Sequence, residues 1–600
     1  MMSRSRRLHA TRAAMTRRSD AVRLAARARV PWLMLVLGCA SWACRQAPAA
    51  HPGDLVQVAE LVLTGAVVHT MEPSRPRAEA VAIRAGRIVH VGSDESVQRF
   101  IGAGTRVEDL AGQTVLPGLH DSHTHLIWSG AELEDVSLHD ATTVAALQAA
   151  IAARATAQPD EPWIRGSGWD VSIVEGVLDR AQIDQVVSDR PVYMSAVDAH
   201  SAWVNSAALA AAGITATTPD PPGGRIERDA GGAPTGILRE SAMALVSDLL
   251  PPYSEAHVDA GMTRAQAEAS SHGITSIVEA ASEPWMLQGF QRFAERDALT
   301  VRVHAAVKAD PARGPEQVQD IVAMRARYGS ARVRVNAIKV FLDGTIESRT
   351  AYMLEPYADG SNGPPLFTDA ALASLVRAAD DAGLQVHAHA IGDGAVRQML
   401  DALDALAEAR GAADRRPVLA HLEVIDEDDL ARFGEHGVYA AFSPLWAYPD
   451  PYITRLTMPV IGPARSAWLY PIASVQQAGG VLVAGSDWSV SSMDPFDAME
   501  VAVTRQAPEP DEDGGEPGPA LTPQQRVTVQ DILAAYTING ARASFVEDEL
   551  GSIAAGKRAD LVVIDRDPLA IDATDLSEIR VLRTLLDGRE VYRAQPAPAR

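Results

Sequence analysis

The sequence predicts an α/β protein built on a (β/α)8 TIM-type barrel, with an inserted subdomain and a small composite β-sandwich formed from both chain ends. Eight apolar, strand-like runs occupy the central chain and are separated by helix-length segments, which is the pattern of such a barrel. A long segment interrupts that rhythm between the first and second runs. Short β-type runs with turn residues occur near both ends, and strands at the two ends of a chain commonly share one sheet.

The barrel is predicted to occupy residues 118–540, with the inserted subdomain at about residues 130–265. Its first strand is the apolar run that leads to His123. The other seven runs are residues 274–280, 301–307, 337–342, 384–390, 418–424, 438–443 and 481–485. The active site of such a barrel is built at the carboxyl ends of the strands, so polar residues at those ends are candidates for chemistry.

The composite sandwich is predicted from residues 55–117 and 545–596. The first segment contains β-type runs at residues 61–65, 80–86 and 87–92, and the second contains runs at residues 560–565 and 581–588. These runs are rich in valine, isoleucine and leucine and are bounded by glycine or aspartate, which is typical of short strands and turns.

The first 44 residues predict a bacterial export signal, because an arginine-rich start precedes a short apolar run. Residues 36–39, Val-Leu-Gly-Cys, resemble a lipoprotein signal, in which Cys39 becomes the lipidated first residue. Ordinary secretory cleavage and initiation at Met15 are alternatives. The protein is therefore expected in the periplasm, with membrane contact only through a lipid anchor. Since Cys39 and Cys44 are the only cysteines, the mature body is expected to lack a disulfide.

Composition and charge limit the classes of function. A chain of 600 residues with 47% apolar content is long enough to bury a large core. The formal charge of −23 disfavours nucleic acid as a partner. The expected partner is a small-molecule substrate, and a homodimer is a further expectation because barrel enzymes of this type often dimerise.

Metal-ligand side chains stand at the ends of several predicted strands. His123 and His125 are two residues apart, so in a strand they share one face and can reach one metal ion. The other candidates are Lys339, His389, His421 and Asp487, at the ends of the fourth, fifth, sixth and eighth strands. Strand ends converge at one mouth of a barrel, so these side chains are expected to meet. Imidazole and carboxylate ligands suit Zn²⁺, with Mn²⁺ or Fe²⁺ as alternatives.

Lys339 is one of only three lysines, against 51 arginines, and it lies in an apolar strand. A buried ammonium readily loses its charge, whereas a guanidinium does not. A neutral lysine amine can add CO₂ to form a carbamate that bridges two metal ions. The alternative is a lysine paired with a carboxylate such as Asp343 or Glu347.

The other candidates also have structural alternatives. His387 precedes His389 at strand spacing and either could be the ligand; His389 is favoured because it adjoins the end of its strand. His421 taken alone would more often be a core histidine. Asp487 is expected to bind metal and to carry the catalytic proton. Its structural alternative is an N-cap for the following helix.

Together these residues resemble the amidohydrolase superfamily, and within it the amidohydrolase-3 or YtcJ-like group. The matching motifs are residues 116–125, 166–170, 198–206, 235–240, 389–393, 485–487 and 551–561, with Lys339, Asp343-Gly344 and His421. The resemblance implies one or two metal ions held by the six residues above, with a carboxylated Lys339 as the bridge if two bind. Relatives often have Gln-Pro after the seventh strand where this chain has Ser443-Pro444, a difference expected on the substrate side.

The expected function is that of a hydrolase acting on carbon–nitrogen bonds other than peptide bonds, in an amide, N-acyl or cyclic amide substrate. Candidates to line the substrate cleft are Trp169, Asp170, His200, Trp203, Asn205 and Trp446. His200 is also a candidate catalytic residue, because a histidine beside a metal can donate a hydrogen bond to a developing oxyanion. Its alternative is a structural network. Ester or lactone hydrolysis would use the same residues, and a metal-dependent isomerase or lyase and a non-catalytic binding scaffold are the other classes.

Overall fold

Eight parallel strands form one sheet in which each strand is hydrogen-bonded to the next one along the chain. The computed structural model describes residues 58–139, 141–170, 172, 178–508 and 518–595, so the predicted export signal and Cys39 lie outside the described residues. The barrel strands, first to eighth, are Leu119–Thr124, Ile274–Ser282, Arg302–Lys308, Val333–Phe341, Gln385–Ala390, Val418–His421, Tyr439–Phe442 and Val481–Ala484. The predicted barrel is confirmed.

The barrel closes next to the predicted metal ligands. The Asp487 N–H donates to the His123 carbonyl at 2.7 Å, and the His125 N–H donates to the Trp488 carbonyl at 3.1 Å. A Cβ at Gly485 would lie 2.6 Å from the Cβ of His123, so only glycine allows the eighth strand to approach the first this closely. The contacts that close the sheet therefore also place His123, His125 and Asp487 side by side.

Helices alternate with the barrel strands and cover the sheet. Pro284–Glu295 is representative, since proline occupies its first turn and its buried residues include Leu287 and Phe290. The helices outside the inserted segment and the terminal sheets are Leu126–Glu132, Glu255–Ser271, Pro284–Glu295, Val318–Tyr328, Asp369–Asp381, Asp393–Arg410, Leu430–His436, Met458–Ser466, Ile472–Gln477, Pro495–Thr504, Val529–Ala534 and Gly540–Ala543. Among the described residues, none of the helices has both the length and the apolar composition needed to cross a bilayer.

The two ends of the chain meet in one sheet, as predicted. Thr114–Pro117 pairs antiparallel with Leu561–Ile564. This six-stranded sheet consists of Val67–His69, Arg77–Ala78, Thr114–Pro117, Leu561–Ile564, Val581–Leu586 and Arg589–Arg593. A second sheet of four strands consists of Leu61–Thr64, Ala80–Arg84, Arg87–Gly92 and Arg106–Asp109, with the short helix Asp94–Val97 beside them in sequence. Leu63, Val81, Val115, Leu561 and Leu585 belong to one buried apolar cluster, so the two sheets pack on each other.

A buried ion pair joins the barrel to this terminal sheet. Arg302, the first residue of the third barrel strand, donates from Nε and Nη2 to the two oxygens of Asp560 at 2.7 and 3.0 Å. Arg302 Nη2 also donates to Asp587 at 2.6 Å. The side chains of Arg302 and Asp560 are only 7% and 3% exposed, so removal of Arg302 would leave the Asp560 carboxylate buried without its ion-pair partner.

A six-stranded sheet lies between the first and second barrel strands in the sequence. Its strands are Val136–Ser137, Ile164–Trp169, Val192–Ala196, Ser201–Val204, Gly224–Arg228 and Pro234–Glu240. The helices of this segment are Val144–Ala157, Arg180–Asp184, Ser206–Ala211 and Ala244–Ser247. Buried apolar clusters of its own, which include Leu147 and Ile151, stabilise this inserted segment.

Candidate active site

The first and eighth barrel strands bring three ligand-type side chains together. His123 lies near the end of the first strand, His125 immediately precedes the helix Leu126–Glu132, and Asp487 follows the eighth strand. One ligand atom from each lies within 4.8 Å of the others. His125 Nε2 and His123 Nε2 are 3.1 and 3.5 Å from the same oxygen, Oδ1 of Asp487. Two imidazoles and a carboxylate at this spacing suit one divalent cation.

The other three predicted ligands lie beside this cluster. The ring centroid of His421 is 4.8 Å from that of His123 and 4.5 Å from that of His389. Lys339 Nζ is 3.4 Å from His123 Nε2. The structure therefore brings all six side chains together at the carboxyl ends of the barrel strands. Their roles as ligands stay predictions.

Two atoms of this cluster lack a protein partner. Oδ1 of Asp487 and Nδ1 of His421 are buried and have no hydrogen bond within the described residues. An unsatisfied buried polar atom costs about 1–3 kcal/mol, and a bound cation would remove that cost. Asp487 and His421 also have φ angles of 54° and 76°, a backbone region that L-residues rarely adopt and that is found most often at functional sites. The chemistry of these residues fits a divalent metal.

Burial favours the neutral form of several nitrogen side chains of this cluster. Desolvation lowers the pKa of His123, His389 and His421 well below that of an ordinary histidine. Desolvation also lowers the pKa of Lys339 to about 7, against the opposing attraction of Asp487. Neutral imidazole is the form that binds metal, and a neutral amine is the form that reacts with CO₂.

The pairing of Lys339 with Asp343 or Glu347 is not what the structure shows. Among the described residues, no carboxylate oxygen lies within the 4 Å ion-pair distance of Lys339 Nζ, whose nearest hydrogen-bonding neighbour is His123. Asp343 instead accepts from backbone N–H groups, including that of Gly392 at 2.9 Å. Glu347 accepts a hydrogen bond from the Thr457 hydroxyl. Lys339 is therefore a buried amine beside His123, with no ion-pair partner among the described residues.

Two further residues contact His123: His387, which the sequence offered as the alternative ligand to His389, and Asp121, to which it assigned no role. His387 places Nε2 2.9 Å from Nδ1 of His123, so it is positioned to fix the orientation of that ring. Asp121 accepts from the backbone N–H of His123 at 3.2 Å and from the Ser486 hydroxyl at 2.5 Å. The sequence did contain a signal for both, because Asp121 lies two residues before His123 and His387 lies two residues before His389.

His200 and Glu240 form a second group at the cavity. His200 Nδ1 is 2.8 Å from Glu240 Oε2. Burial by itself would lower the pKa of His200, but the attraction of Glu240 outweighs it and raises the pKa to about 9. This shift favours the imidazolium form at neutral pH, with Nδ1 directed at Glu240. Glu240 ends a motif that the sequence marked, although no role was predicted for it.

A cavity of about 1000 Å³ opens over these groups. His123, His125, Lys339, His389, His421 and Asp487 all contribute to its wall, as do His200 and the predicted substrate residues Asp170 and Trp446. The Trp446 ring stacks on that of His421 with centroids 5.5 Å apart and an angle of 5° between the planes. Asp170 accepts from the backbone N–H of Ser172 at 2.7 Å.

Three predicted substrate residues lie elsewhere, and their placement corrects the expectation. Trp169 is 2% exposed and donates from Nε1 to the Met194 carbonyl at 2.9 Å, within the core of the inserted segment. Trp203 is fully buried in the same core. Asn205 is also fully buried and caps the helix Ser206–Ala211 by accepting from the Ala208 N–H at 2.9 Å. These side chains stabilise the inserted segment and do not reach the cavity wall.

Known proteins are similar to this chain over most of its length. The chain is 31% identical over 545 residues to the protein LONG AFTER FAR-RED 3 of Arabidopsis thaliana, across 89% of this chain and 92% of that one. It is 30% identical over 541 residues to the putative amidohydrolase YtcJ of Bacillus subtilis, across 88% and 98%. It is 27% identical over 553 residues to the N-substituted formamide deformylase of Arthrobacter pascens, across 89% and 98%.

A solved structure shares the fold. An uncharacterised metal-dependent hydrolase of Pyrococcus horikoshii superposes with a TM-score of 0.68 at 23% sequence identity, covering 86% of this chain and 99% of that one. The model of the amidohydrolase family matches residues 106–592, which include the whole barrel, the inserted segment and both strands that pair the chain ends. With its barrel, its clustered ligand residues and this match over most of its length, the chain belongs to the amidohydrolase family.

Proposed function

We propose that this protein hydrolyses a C–N bond of an amide, N-acyl or cyclic amide in a small molecule, with Zn²⁺ as the metal. The observation that carries the proposal is the cluster of His123, His125 and Asp487, with its unsatisfied carboxylate oxygen, in the wall of a cavity of about 1000 Å³. The relative from Arthrobacter pascens is named for action on N-substituted formamides, which contain such a bond. Two imidazoles and a carboxylate are a ligand set typical of catalytic zinc.

The residues of the chain have distinct tasks in this reaction. A bound divalent metal would polarise the substrate carbonyl and lower the pKa of the attacking water. Asp487 takes the proton from that water at a carboxylate oxygen and returns it to the nitrogen that leaves. His200, held as an imidazolium by Glu240, donates from Nε2 to the carbonyl oxygen as negative charge develops there.

Lys339 is proposed to act as a carbamate. Its amine is fully buried and its pKa of about 7 leaves a large neutral fraction at physiological pH. The neutral nitrogen forms a bond to the carbon of CO₂ and releases one proton, which yields an anionic ligand beside His123. With this group, the six clustered residues would offer enough ligand atoms to hold two cations.

Metal analysis of the purified protein tests this function. We expect close to two Zn²⁺ per chain, fewer in Lys339→Ala, and partial recovery when a short-chain carboxylate is added to that variant. Lys308→Ala is the matched control, because Lys308 is an exposed lysine in the wall of the same cavity. Hydrolysis of a panel of N-formyl and N-acyl amines should follow the metal content.

The outcomes separate the parts of the proposal. A single ion that is unchanged in Lys339→Ala would make Lys339 structural and the mechanism mononuclear. A protein that binds no metal under any loading condition would refute the hydrolase mechanism. If the protein binds metal and hydrolyses esters or lactones but no amide, the bond that it cleaves is a C–O bond and not a C–N bond.

Export to the periplasm and a lipid anchor at Cys39 are also part of the proposed function. The arginine-rich start and the Val-Leu-Gly-Cys motif at residues 36–39 support them. Cys39→Ser is expected to move the protein from the membrane fraction to the soluble fraction, whereas Cys44→Ser should not. Equal fractionation of wild type and Cys39→Ser would leave ordinary secretory cleavage as the explanation.

A further inference from the structure

One wall of the cavity carries three carboxylates that the proposed reaction does not use. Glu347, Glu423 and Asp450 follow the fourth, sixth and seventh barrel strands respectively, and all three line the cavity. Glu347 accepts a hydrogen bond from the Thr457 hydroxyl and Asp450 accepts from the Ile453 backbone N–H at 2.7 Å. In the described part of the chain, none of the three has an arginine, lysine or histidine within ion-pair distance.

Glu423 is the member of this acidic wall that has an unsatisfied carboxylate oxygen. It is 5% exposed, and its Oε2 atom is buried without a hydrogen bond among the described residues. The Tyr470 side chain hydrogen-bonds to the same carboxylate. A buried carboxylate oxygen with no donor is costly, and the Glu423 side chain lines the cavity. A donor carried by a ligand would remove that cost.

The other two carboxylates make a cation the best donor. Glu347 and Asp450 are both close enough to Glu423 to repel its negative charge. Repulsion of this kind is strong where water is excluded, and a positive group placed among the three would offset it. Trp446 and Tyr452 line the same cavity, and aromatic faces attract organic cations.

The positive side chains of the cavity wall are engaged elsewhere. Arg165 Nε is 3.4 Å from Asp135, and Lys308 Nζ is 3.9 Å from Glu283. Lys339 lies within the metal-ligand cluster. His200 is paired with Glu240. Among the described residues no positive side chain offsets the acidic wall, so a cation bound in the cavity would compete with protonation of these carboxylates for that task.

We infer that the substrate carries a basic nitrogen, an ammonium or a guanidinium, and that Glu423 binds this cation with Glu347 and Asp450 beside it. The inference rests on the proposed function, because the cleavable bond of the same molecule would lie at the metal-ligand cluster. Substrates are then N-acylated or cyclic amides with a cationic group, and neutral or anionic analogues are discriminated against. Glu423 is a specificity-determining residue in this assignment, with no part in the proton transfers.

Hydroxamates give a test that separates this inference from the proposed function, because a hydroxamate chelates a divalent metal without being cleaved. The probes are an aminoalkyl hydroxamate, its neutral alkyl counterpart of equal length and its carboxyalkyl counterpart, over a series of chain lengths. Binding to the metal-loaded protein is measured by isothermal titration calorimetry. At the best length we expect the amine to bind about tenfold or more tightly than the neutral probe, the gain typical of a charged hydrogen bond, and the carboxylate to bind most weakly.

Substitutions test whether the carboxylates of the acidic wall cause the preference for the amine probe. Glu423→Gln keeps the shape of the side chain and should bring the amine probe to the affinity of the neutral probe, while the affinity of the neutral probe stays unchanged. Asp450→Asn should reduce the preference in part. Glu427→Gln, at an exposed position four residues further along, is the matched control and should leave it intact.

Each other outcome overturns the inference. Equal or tighter binding of the neutral probe by wild type would refute it and leave the metal centre standing, and this comparison needs no variant to fold. A preference that survives in Glu423→Gln would also refute the assignment. If none of the probes binds, the metal centre itself fails and the inference fails with it.

Discussion

Replacing Lys339 with methionine is expected to stabilise the metal-free protein while it abolishes the hydrolase activity. Lys339 is fully buried in the fourth barrel strand, and methionine has a similar length with no charge. The substitution removes the cost of holding an amine in this site but also removes the group proposed to become a carbamate. Stability and function therefore move in opposite directions at this position.

The magnitude follows from the pKa. Burial lowers the pKa of Lys339 from 10.5 to about 7. A tenfold change in a protonation equilibrium corresponds to about 1.4 kcal/mol, so the penalty approaches roughly 5 kcal/mol at neutral pH as an upper limit. Imperfect packing of methionine reduces the gain, and we expect about 2–4 kcal/mol for Lys339→Met.

Because the pKa of Lys339 is lower in the folded protein than in the unfolded chain, the free energy of unfolding of wild type should rise with pH. Above pH 10.5 the amine is neutral in both the folded and the unfolded protein, so it carries no penalty. As the pH falls towards 7, only the unfolded chain gains the proton, and the free energy of unfolding of wild type decreases relative to that of the variant. Below about pH 7 both states are protonated and the difference is constant. The advantage of Lys339→Met is thus largest at neutral or acidic pH and shrinks towards pH 10.

Thermal unfolding of metal-free protein in CO₂-depleted buffer, from pH 6 to pH 10, measures this effect. We expect the Tm of Lys339→Met to exceed that of wild type by a few degrees at pH 7 and to converge with it at pH 10. Lys308→Met is the matched control and should change the Tm little, because Lys308 is an exposed lysine whose carboxylate partner, Glu283, is 3.9 Å away. A lower Tm for Lys339→Met, or a difference that does not vary with pH, would refute the reasoning.

Three other substitutions test the site and its support. Asp487→Asn cannot accept the proton of the attacking water, so kcat of the zinc-saturated variant is expected to fall roughly 10²–10⁴-fold in a steady-state assay. Glu240→Gln removes the attraction that raises the pKa of His200 to about 9. The alkaline fall of kcat/KM, expected near pH 9 in wild type, should move towards neutral pH because the imidazolium is lost earlier. Arg302→Met leaves Asp560 buried and unpaired, which should destabilise the fold by about 3–5 kcal/mol in thermal or urea unfolding.

Controls and contrary results are available for each of these. Arg589→Met removes an exposed ion pair, in which Arg589 is 72% exposed, and should cost less than about 1 kcal/mol. If Arg302→Met and Arg589→Met lose a comparable free energy of unfolding, burial of the ion pair does not decide how much it stabilises the fold. An unchanged pH profile in Glu240→Gln would exclude His200 as the group that titrates. Full activity of Asp487→Asn would exclude Asp487 as the proton carrier.

The barrel and the metal-ligand candidates were accessible from the sequence for a physical reason. A buried parallel strand needs a short apolar run, and the next one needs a crossover of helical length, so eight such runs in order specify the barrel locally. The barrel then places every strand end at one mouth. His123, His389, His421 and Asp487 could therefore be grouped without knowledge of any contact between them, and the structure places them side by side.

Side-chain placement beyond the strand ends was decided by the tertiary structure. Trp169, Trp203 and Asn205 stand in motifs of the inserted segment, yet that segment has its own core and buries them. Whether a residue of an inserted sheet faces its own core or the barrel mouth depends on how the two pack, and no local pattern encodes that.

The fold class, the composite terminal sheet and the strand-end residues follow from local periodicity and spacing, so the amino-acid sequence was enough to predict them. Only the tertiary structure paired Glu240 with His200 and set Glu347, Glu423 and Asp450 around one cavity. These groups come from separate loops, and long-range packing alone brings their charges within reach of one another. The metal-ligand candidates are therefore predictable from strand ends, whereas the carboxylates proposed to select the substrate stand on loops that only the folded protein brings together.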